Sequence, residues 1–440
     1  MKNSRKFRML NKVVSVLTLL SFIIHPIALG KVWAESPLPQ GPTVQSGSVT
    51  FNSPNEVTLN VEQMSEASLI DWLQFCIAHG YTVNFNMPGS NSFSVNRVTG
   101  GDISHIFGTL HSNGIVWLLN PSGIVFGAGS KIDTASFLGS TLTMSKADFD
   151  AKTYFLVKDP AKANGYIVSQ GEIKTNKDGG YVALLGGAVR NEGLIEARMG
   201  KVILASGEKM AVELDGAGTI SVAVNGPVSS KVKDENNNDV SDAVVNAATG
   251  KIAADGGIIV LTADVLKDVF TNAVNNEGVL QANSLQNVNG QIYLKANDKA
   301  NVAGQIDADT GTVTVDSQRL DYSGKVNAAD AFFNANDGDT TITAADSGNG
   351  NKTFTDNGNI TVAGNFAVTN GRIRIFADND NTGGGNFIQN TGTTISNTGG
   401  SSIAIRSGSD ETHGTGNVTV GTINSSGNVH LSAFGGSISR

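Results

Sequence analysis

The stretch Val95–Asp133, VNRVTGGDISHIFGTLHSNGIVWLLNPSGIVFGAGSKID, decides how the rest of the chain is read. Ile115 to Leu119 is an apolar, β-prone run, and Asn120, Pro121, Ser122 and Gly123 then supply the residue types that a type I turn favours at its four positions. The chain must reverse or bend there. Ile124 to Phe126 resumes the apolar run, and Gly127 and Gly129 end it before a polar segment.

Outward from this stretch a loose repeat emerges. Gly171, Gly193, Gly218, Gly250, Gly278, Gly304 and Gly324 each open a short β-branched run. The nonamers VRNEGLIEA at Val189–Ala197 and VNNEGVLQA at Val274–Ala282 are plainly related, with companion runs GKVILAS from Gly200 and GQIYLKA from Gly290. GNITVA from Gly358 and GNVHLSA from Gly427 are further copies. Short strands with Gly and Asn at the corners, repeated at roughly 20 to 30 residues, predict an all-β fold: a right-handed parallel β-helix (β-solenoid) with an N-terminal capping region. No interval holds a long amphipathic helix, which argues against leucine-rich horseshoes and helical arrays. Alternation persists late in the chain, as in Arg372-Ile373-Arg374-Ile375-Phe376, and favours strands over disorder.

Composition divides the chain near DENNND, Asp234–Asp239, which reads as an exposed loop or a seam. All nine prolines and all three tryptophans precede it. Residues 1–34 read as a signal peptide: a basic patch (Lys2, Arg5, Lys6, Arg8, Lys12), an apolar run Val13–Ile24, and Val32-Trp33-Ala34 before the cleavage point. That leader holds six of the 31 Lys and Arg and no acidic residue, which leaves 25 basic against 39 acidic side chains, a net charge of −14. Such a balance argues against nucleic-acid binding. With only Cys76, expected as a buried structural thiol, no intramolecular disulfide is possible. The last residues, Gly427–Arg440, still read as repeat, which suggests a longer exoprotein.

The central stretch resembles the haemagglutination-activity domain of two-partner secretion exoproteins of the filamentous haemagglutinin type. The shared features are an NRVTG segment at Asn96–Gly100, the strand Ile115–Leu119, and an NPNG-like turn followed by a V-F-G run at Asn120–Gly127. LIDWLQFCIAHGYTVNF, Leu69–Phe85, matches the family's aromatic segment ending in V-N-F, and FLGSTL and GGYVALLG extend the similarity over about residues 48–224. Ser122 stands where the family usually has Asn, a change the turn accepts, and no second NPNL-type motif is present.

The resemblance implies a secretion domain over residues 35–230 and a repetitive stalk over 231–440. It implies a POTRA-containing outer-membrane β-barrel transporter as partner, passage through the periplasm to the cell surface or beyond, and a host-cell, carbohydrate or bacterial surface ligand for the stalk. Asn96, Arg97, Asn120, Pro121, Ser122 and Gly123 are the candidate secretion-motif residues, with turn and cap shaping as their alternative role. The alternatives to an adhesin are a secreted β-helix polysaccharide-active enzyme, the stalk of a contact-dependent toxin, and a haem-binding exoprotein.

No catalytic, metal or cofactor site is expected. Asp307 with Asp309 and Asp378 with Asp380 have the alternate spacing that places two carboxylates on one strand face, although acidic corner residues are common in solenoids. His105 and His111 lack a nearby Cys or Asp cluster. G-x-S-x-G, H-E-x-x-H and G-x-G-x-x-G are all absent, and FGAGSK at Phe126–Lys131 lacks Walker spacing.

Overall fold

From Ile115–Leu119 the chain turns into Ile124–Phe126, turns again into Lys131–Thr134, and returns as Ser136–Ser140. The returning strand lies parallel to the first, with Ser136 opposite Ile115 and Ser140 opposite Leu119. One circuit therefore contributes a strand to each of three sheets, and stacked circuits make a parallel β-helix. The computed structural model describes residues 36–215, 219–285, 288–336, 338–345, 347–380, 384–408 and 416–440. The signal-peptide reading of residues 1–34 lies outside the described residues. Within Ser36–Arg440, the sheets to which these three strands belong hold 15, 13 and 11 described strands.

Inward side chains stack by type along the coils. Val182, Val202, Ile259, Ile292, Val313 and Ala331 face one another in register down the first sheet, all buried. Each large member contributes roughly 1.5–3 kcal/mol by leaving water, and does so only because the next coil covers it. A second inward column is polar: Asn191 Nδ2 donates to Asn246 Oδ1 at 2.9 Å, and Asn246 Nδ2 donates to Asn276 Oδ1 at 2.9 Å. Asn191 and Asn276 are the asparagines repeated in the related VRNEG and VNNEG segments, and Asn246 stands between them in the stack.

The repeat glycines mark one corner of the coil. A Cβ added to Gly193 would stand 2.1 Å from the carbonyl oxygen of Gly171, and one on Gly304 would stand 2.1 Å from that of Gly278. Stacked corners approach so closely that no side chain fits. Gly218 was expected in this series. It lies outside the described residues, and the strand after it, Ile220–Gly226, leaves the helix to pair antiparallel with Lys209–Leu214. There the local glycine-plus-apolar pattern belongs to an insertion and not to a coil.

The N-terminal end is capped, as expected. Thr43–Ser46 runs antiparallel to Ala67–Trp72, and Val49–Asn55 antiparallel to Thr58–Gln63, so the first parallel strands of two sheets are covered by an antiparallel strand. An insertion covers the outer face of the first sheet nearby. It comprises the short helix Lys146–Ala151, capped by Ser145, and a three-stranded antiparallel sheet of Tyr154–Val157, Lys209–Leu214 and Ile220–Gly226. Phe93, Trp117, Tyr181, Phe149 and Met210 form a second hydrophobic core beneath it. The Trp117 indole N–H donates to the Tyr181 hydroxyl at 2.7 Å inside that core.

The DENNND segment is an exposed loop. Asp234 Oδ1 accepts the backbone N–H groups of Asn236 (2.9 Å) and Asn238 (2.8 Å), and Lys233 pairs with Asp239 across its neck at 2.6 Å. Strand Lys201–Ser206 before it pairs in register with Ile258–Ala263 after it.

Candidate functional site

Asn96 and Arg97 lie on the strand Phe93–Val98, opposite Leu118 and Leu119 of the next coil, so Asn120 begins one residue beyond Arg97's partner. The fold thus brings the two motif segments to the same end of adjacent coils. Their side chains point to opposite sides of the sheet, as strand geometry requires.

Asn96 faces inward and is fully buried. Its Oδ1 accepts the indole N–H of Trp72 at 3.0 Å, and its Nδ2 donates to Ser94 Oγ (3.2 Å) and the Trp117 carbonyl (3.3 Å). The amide lets a bulky indole be buried with its N–H satisfied, which an apolar residue could not do. Arg97 faces outward and forms a fork with Asp71: Nε to Oδ1 at 2.7 Å and Nη2 to Oδ2 at 2.9 Å. Nη1 also donates to the Met144 carbonyl at 2.8 Å, tying the insertion to the coil. Planar bidentate pairing of this kind is specific to arginine.

The turn forms as the residue types demand. The Gly123 N–H donates to the Asn120 carbonyl at 3.1 Å, and Asn120 Oδ1 accepts the Ser122 N–H at 2.9 Å. Asn120 Nδ2 then donates to Ser104 Oγ (2.9 Å) and the Asp102 carbonyl (3.0 Å), anchoring the turn on the preceding coil. Gly123 adopts φ 125°, and a Cβ there would approach the Tyr166 carbonyl at 3.2 Å. Pro121 and Ser122 line a cavity of about 270 Å³ together with Tyr166, Lys162 and the loop residues Lys233 and Glu235. Every polar group of Asn96 and Asn120 is engaged with this chain. The arrangement holds structure in place.

The other residues singled out in the sequence do not converge. His105 lies in the second sheet, 3.5 Å from Glu235, and His111 in the third, 3.3 Å from Asp133. Asp307 sits on a strand and accepts Asn327 Nδ2 at 2.7 Å, but Asp309 adopts φ 46° at the corner. Asp378 is likewise a corner residue, with φ 49°, and Asp380 beyond it is exposed. Neither pair shares a strand face, because alternation stops where the strand ends. Among the described residues no group of three or more His, Cys, Asp or Glu is placed to hold a metal ion. Cys76 is buried, its Sγ 3.7 Å from the Ile103 carbonyl and 3.4 Å from the His105 N–H.

The TPS secretion domain model matches residues 36–308, which contain both motif segments, the cap and the insertion. The chain belongs to the two-partner secretion family. A heme/hemopexin-binding protein of Haemophilus influenzae is 34% identical over 241 residues, covering 52% of this chain and 26% of that protein. A second heme/hemopexin-binding protein of H. influenzae is 32% identical over 139 residues, 31% of this chain and 15% of that protein. The matches thus span about a quarter or less of the curated relatives' length. The crystal structure of the HMW1 secretion domain from H. influenzae shares the fold, with TM-score 0.58 and 23% identity, covering 91% of this chain and all of that one. Two-partner secretion exoproteins are exported across the outer membrane to the cell surface or the medium, and this chain shares that destination.

Sequence reading missed the partners that hold the motif. Asp71 and Trp72 precede Arg97 and Asn96 by 26 and 24 residues. That separation is one coil of the repeat, and carrying the repeat period back through the motif would have aligned Asp71 with Arg97.

Proposed function

We propose that the protein is an exported binding protein of the adhesin or haemagglutinin kind. In this reading, residues of about 35–230 are recognised by the POTRA domains of an outer-membrane β-barrel transporter, and residues 231–440 present the binding surface as a stalk. Cell-surface, carbohydrate or bacterial ligands suit that stalk. The observation that carries the reading is a change along one sheet face. Up to Val260 the outer face of the first sheet is packed under the insertion, and from Gln291 onward it is open to solvent.

Recognition has a physical constraint. In the folded coil Ile115–Leu119 is hydrogen-bonded to a strand on each side, Phe93–Val98 and Ser136–Ser140. A partner that adds to this segment as a strand must do so before the coils stack. Stacking outside the cell then removes the segment from the partner and opposes return. The test is secretion of an epitope-tagged chain in a Gram-negative host with and without its transporter, followed by binding of the released protein to cells. Transporter-independent release or a released protein that binds nothing refutes it.

A second reading draws on the relatives named for heme/hemopexin binding. In it the stalk captures haem or its carrier. Retention on immobilised haem, with a change in the haem absorbance band, supports this reading over adhesion, and absence of both removes it.

A further inference from the structure

The open face of the first sheet has a regular pattern. Tyr293, Thr314, Phe332, Thr353 and Arg374 lie in register on five successive coils and all point outward. Tyr293 and Phe332 are 36% and 38% exposed, large values for aromatic rings on a sheet. A ring or guanidinium thus recurs on every second coil, a step of roughly 9.6 Å at the usual strand spacing. Polar chains flank this row. On one side Asn351 Nδ2 donates to Asp330 Oδ1 (2.9 Å) and the Arg372 N–H to Asn351 Oδ1 (3.0 Å). On the other, Asn334 Nδ2 donates to Asp316 Oδ1 and Thr355 Oγ1 to Asn334 Oδ1, each at 2.8 Å.

The row ends in a cluster of arginines. Arg372 and Arg374 share the outer face of strand Ile373–Ala377 and its leading residue, and Arg406 follows one coil on, its guanidinium carbon 4.4 Å from the centre of the Phe376 ring. Arg97, Arg190, Arg198 and Arg319 each pair with a carboxylate. Among the described residues Arg372, Arg374 and Arg406 pair with none, and Arg406 Nε, though buried, has no hydrogen-bond partner. Asp316 and Asp330, the carboxylates on this face, lie on earlier coils and are engaged by asparagines; His430 lies one coil beyond Ala404. In a chain with a large acidic excess, three arginines without a carboxylate partner, one of them over the Phe376 ring and donating to Asn379 Oδ1 at 3.1 Å, are a local inversion of charge.

We infer that this face binds an acidic polysaccharide lying along the coil axis, with its carboxylate or sulfate groups on Arg372, Arg374 and Arg406 and its sugar rings on Phe376, Phe332 and Tyr293. The guanidinium fork matches a carboxylate or sulfate, and aromatic faces receive the C–H side of a sugar ring through their negative quadrupole. The two-coil periodicity suits a repeating polymer better than one small molecule. The inference rests on the reading of the stalk as a binding surface.

The test uses the full secreted chain on surfaces of polygalacturonate and chondroitin sulfate, with neutral dextran as control. Retention on the acidic surfaces only is expected, falling as salt rises from about 50 to about 300 mM. R372Q/R374Q is expected to weaken binding roughly ten-fold or more, as loss of charge-assisted hydrogen bonds requires. F332A weakens it a few-fold, and K146Q, on the insertion's exposed helix, leaves it unchanged. The arginines point outward, so circular dichroism and sedimentation should match wild type. Equal binding to dextran, unchanged binding by R372Q/R374Q, or self-association through this face overturns the inference. A chain that adheres to cells but ignores acidic glycans removes this inference alone, whereas one that does neither removes the binding-stalk reading with it.

Discussion

Ile115–Leu119 and Gln291–Ala296 are strands of the same sheet with the same inner packing, yet their sequences share almost no pattern. The first, IVWLL, is buried at every position, and the second, QIYLKA, alternates buried and exposed. The difference comes from outside the coil. Trp117 is covered by Phe93, Tyr154 and Tyr181, while Tyr293 meets solvent. A β-helix strand therefore reports two environments, and only the inner one is common to the whole column. The N-terminal coils use the outer face for stability, and the later coils leave it exposed to solvent.

That contrast can be broken most directly at its two tyrosine- and tryptophan-bearing positions. Trp117→Ala is expected to cost about 3–5 kcal/mol in denaturant unfolding, from lost burial, a cavity and an orphaned Tyr181 hydroxyl. Tyr293→Ala, at the matching outward position, should cost under about 1 kcal/mol. Equal costs would erase the distinction between covered and open faces.

Arg97→Ala removes the fork to Asp71 and the bond to the Met144 carbonyl. Because both side chains keep some solvent contact, about 2 kcal/mol is expected, and Arg97→Lys should recover only part of it. Proteolysis would sharpen the point: the insertion should be cut faster in Arg97→Ala while the later coils stay protected.

Gly304→Ala drives a methyl toward the Gly278 carbonyl and should cost about 1–3 kcal/mol, whereas Gly89→Ala, where an added Cβ meets nothing within 4 Å, should stay within about 0.5 kcal/mol. The smallest expected change is a gain. Lys352 is buried among the later coils, donating to the Asn349 and Gly350 carbonyls at 2.5 and 3.1 Å, and burial lowers its pKa to about 8. Between about pH 8 and the ordinary lysine value near 10.4 the unfolded chain binds the extra proton, so wild-type stability rises with pH across that window. Lys352→Met should abolish that rise and stabilise the protein by about 1 kcal/mol at neutral pH. Asp356, pushed up to about 6 by burial, gives the opposite slope: the folded chain holds the extra proton, and stability falls as pH rises from about 4 to 6. Asp356→Asn should flatten it.

The coil was legible in the sequence because its corners and inner column obey local rules. Asn120-Pro121-Ser122-Gly123 can form one kind of turn, and Gly171, Gly193, Gly250, Gly278, Gly304 and Gly324 recur because stacked corners leave no room for a Cβ. The insertion was not legible. Its strands pair Tyr154 with Val212 and Met210 with Val224, contacts fixed by burial over Trp117 and not by any local signal. For the same reason the segment after Gly218 imitated a coil. At the site, Asn96 and Arg97 were visible through the family motif, but Trp72 and Asp71, one coil earlier, became partners only when the register was known.

The close approach of the corners has a consequence for how such a chain varies. Gly171 to Gly324 close the corner between the second and third sheets, and Gly180, Gly200, Gly257 and Gly311 crowd the one between the third and first. The two long excursions, residues 141–165 and 207–241, both leave through the remaining corner, between the first sheet and the second. Farther along, Gly338, Gly358, Gly385, Gly416 and Gly436 stack at that corner as well. The long excursions of this chain are thus confined to one edge of the early coils. A peptide tag grafted between Ser140 and Tyr166 should be tolerated where the same graft at Gly278 would force every later coil out of step.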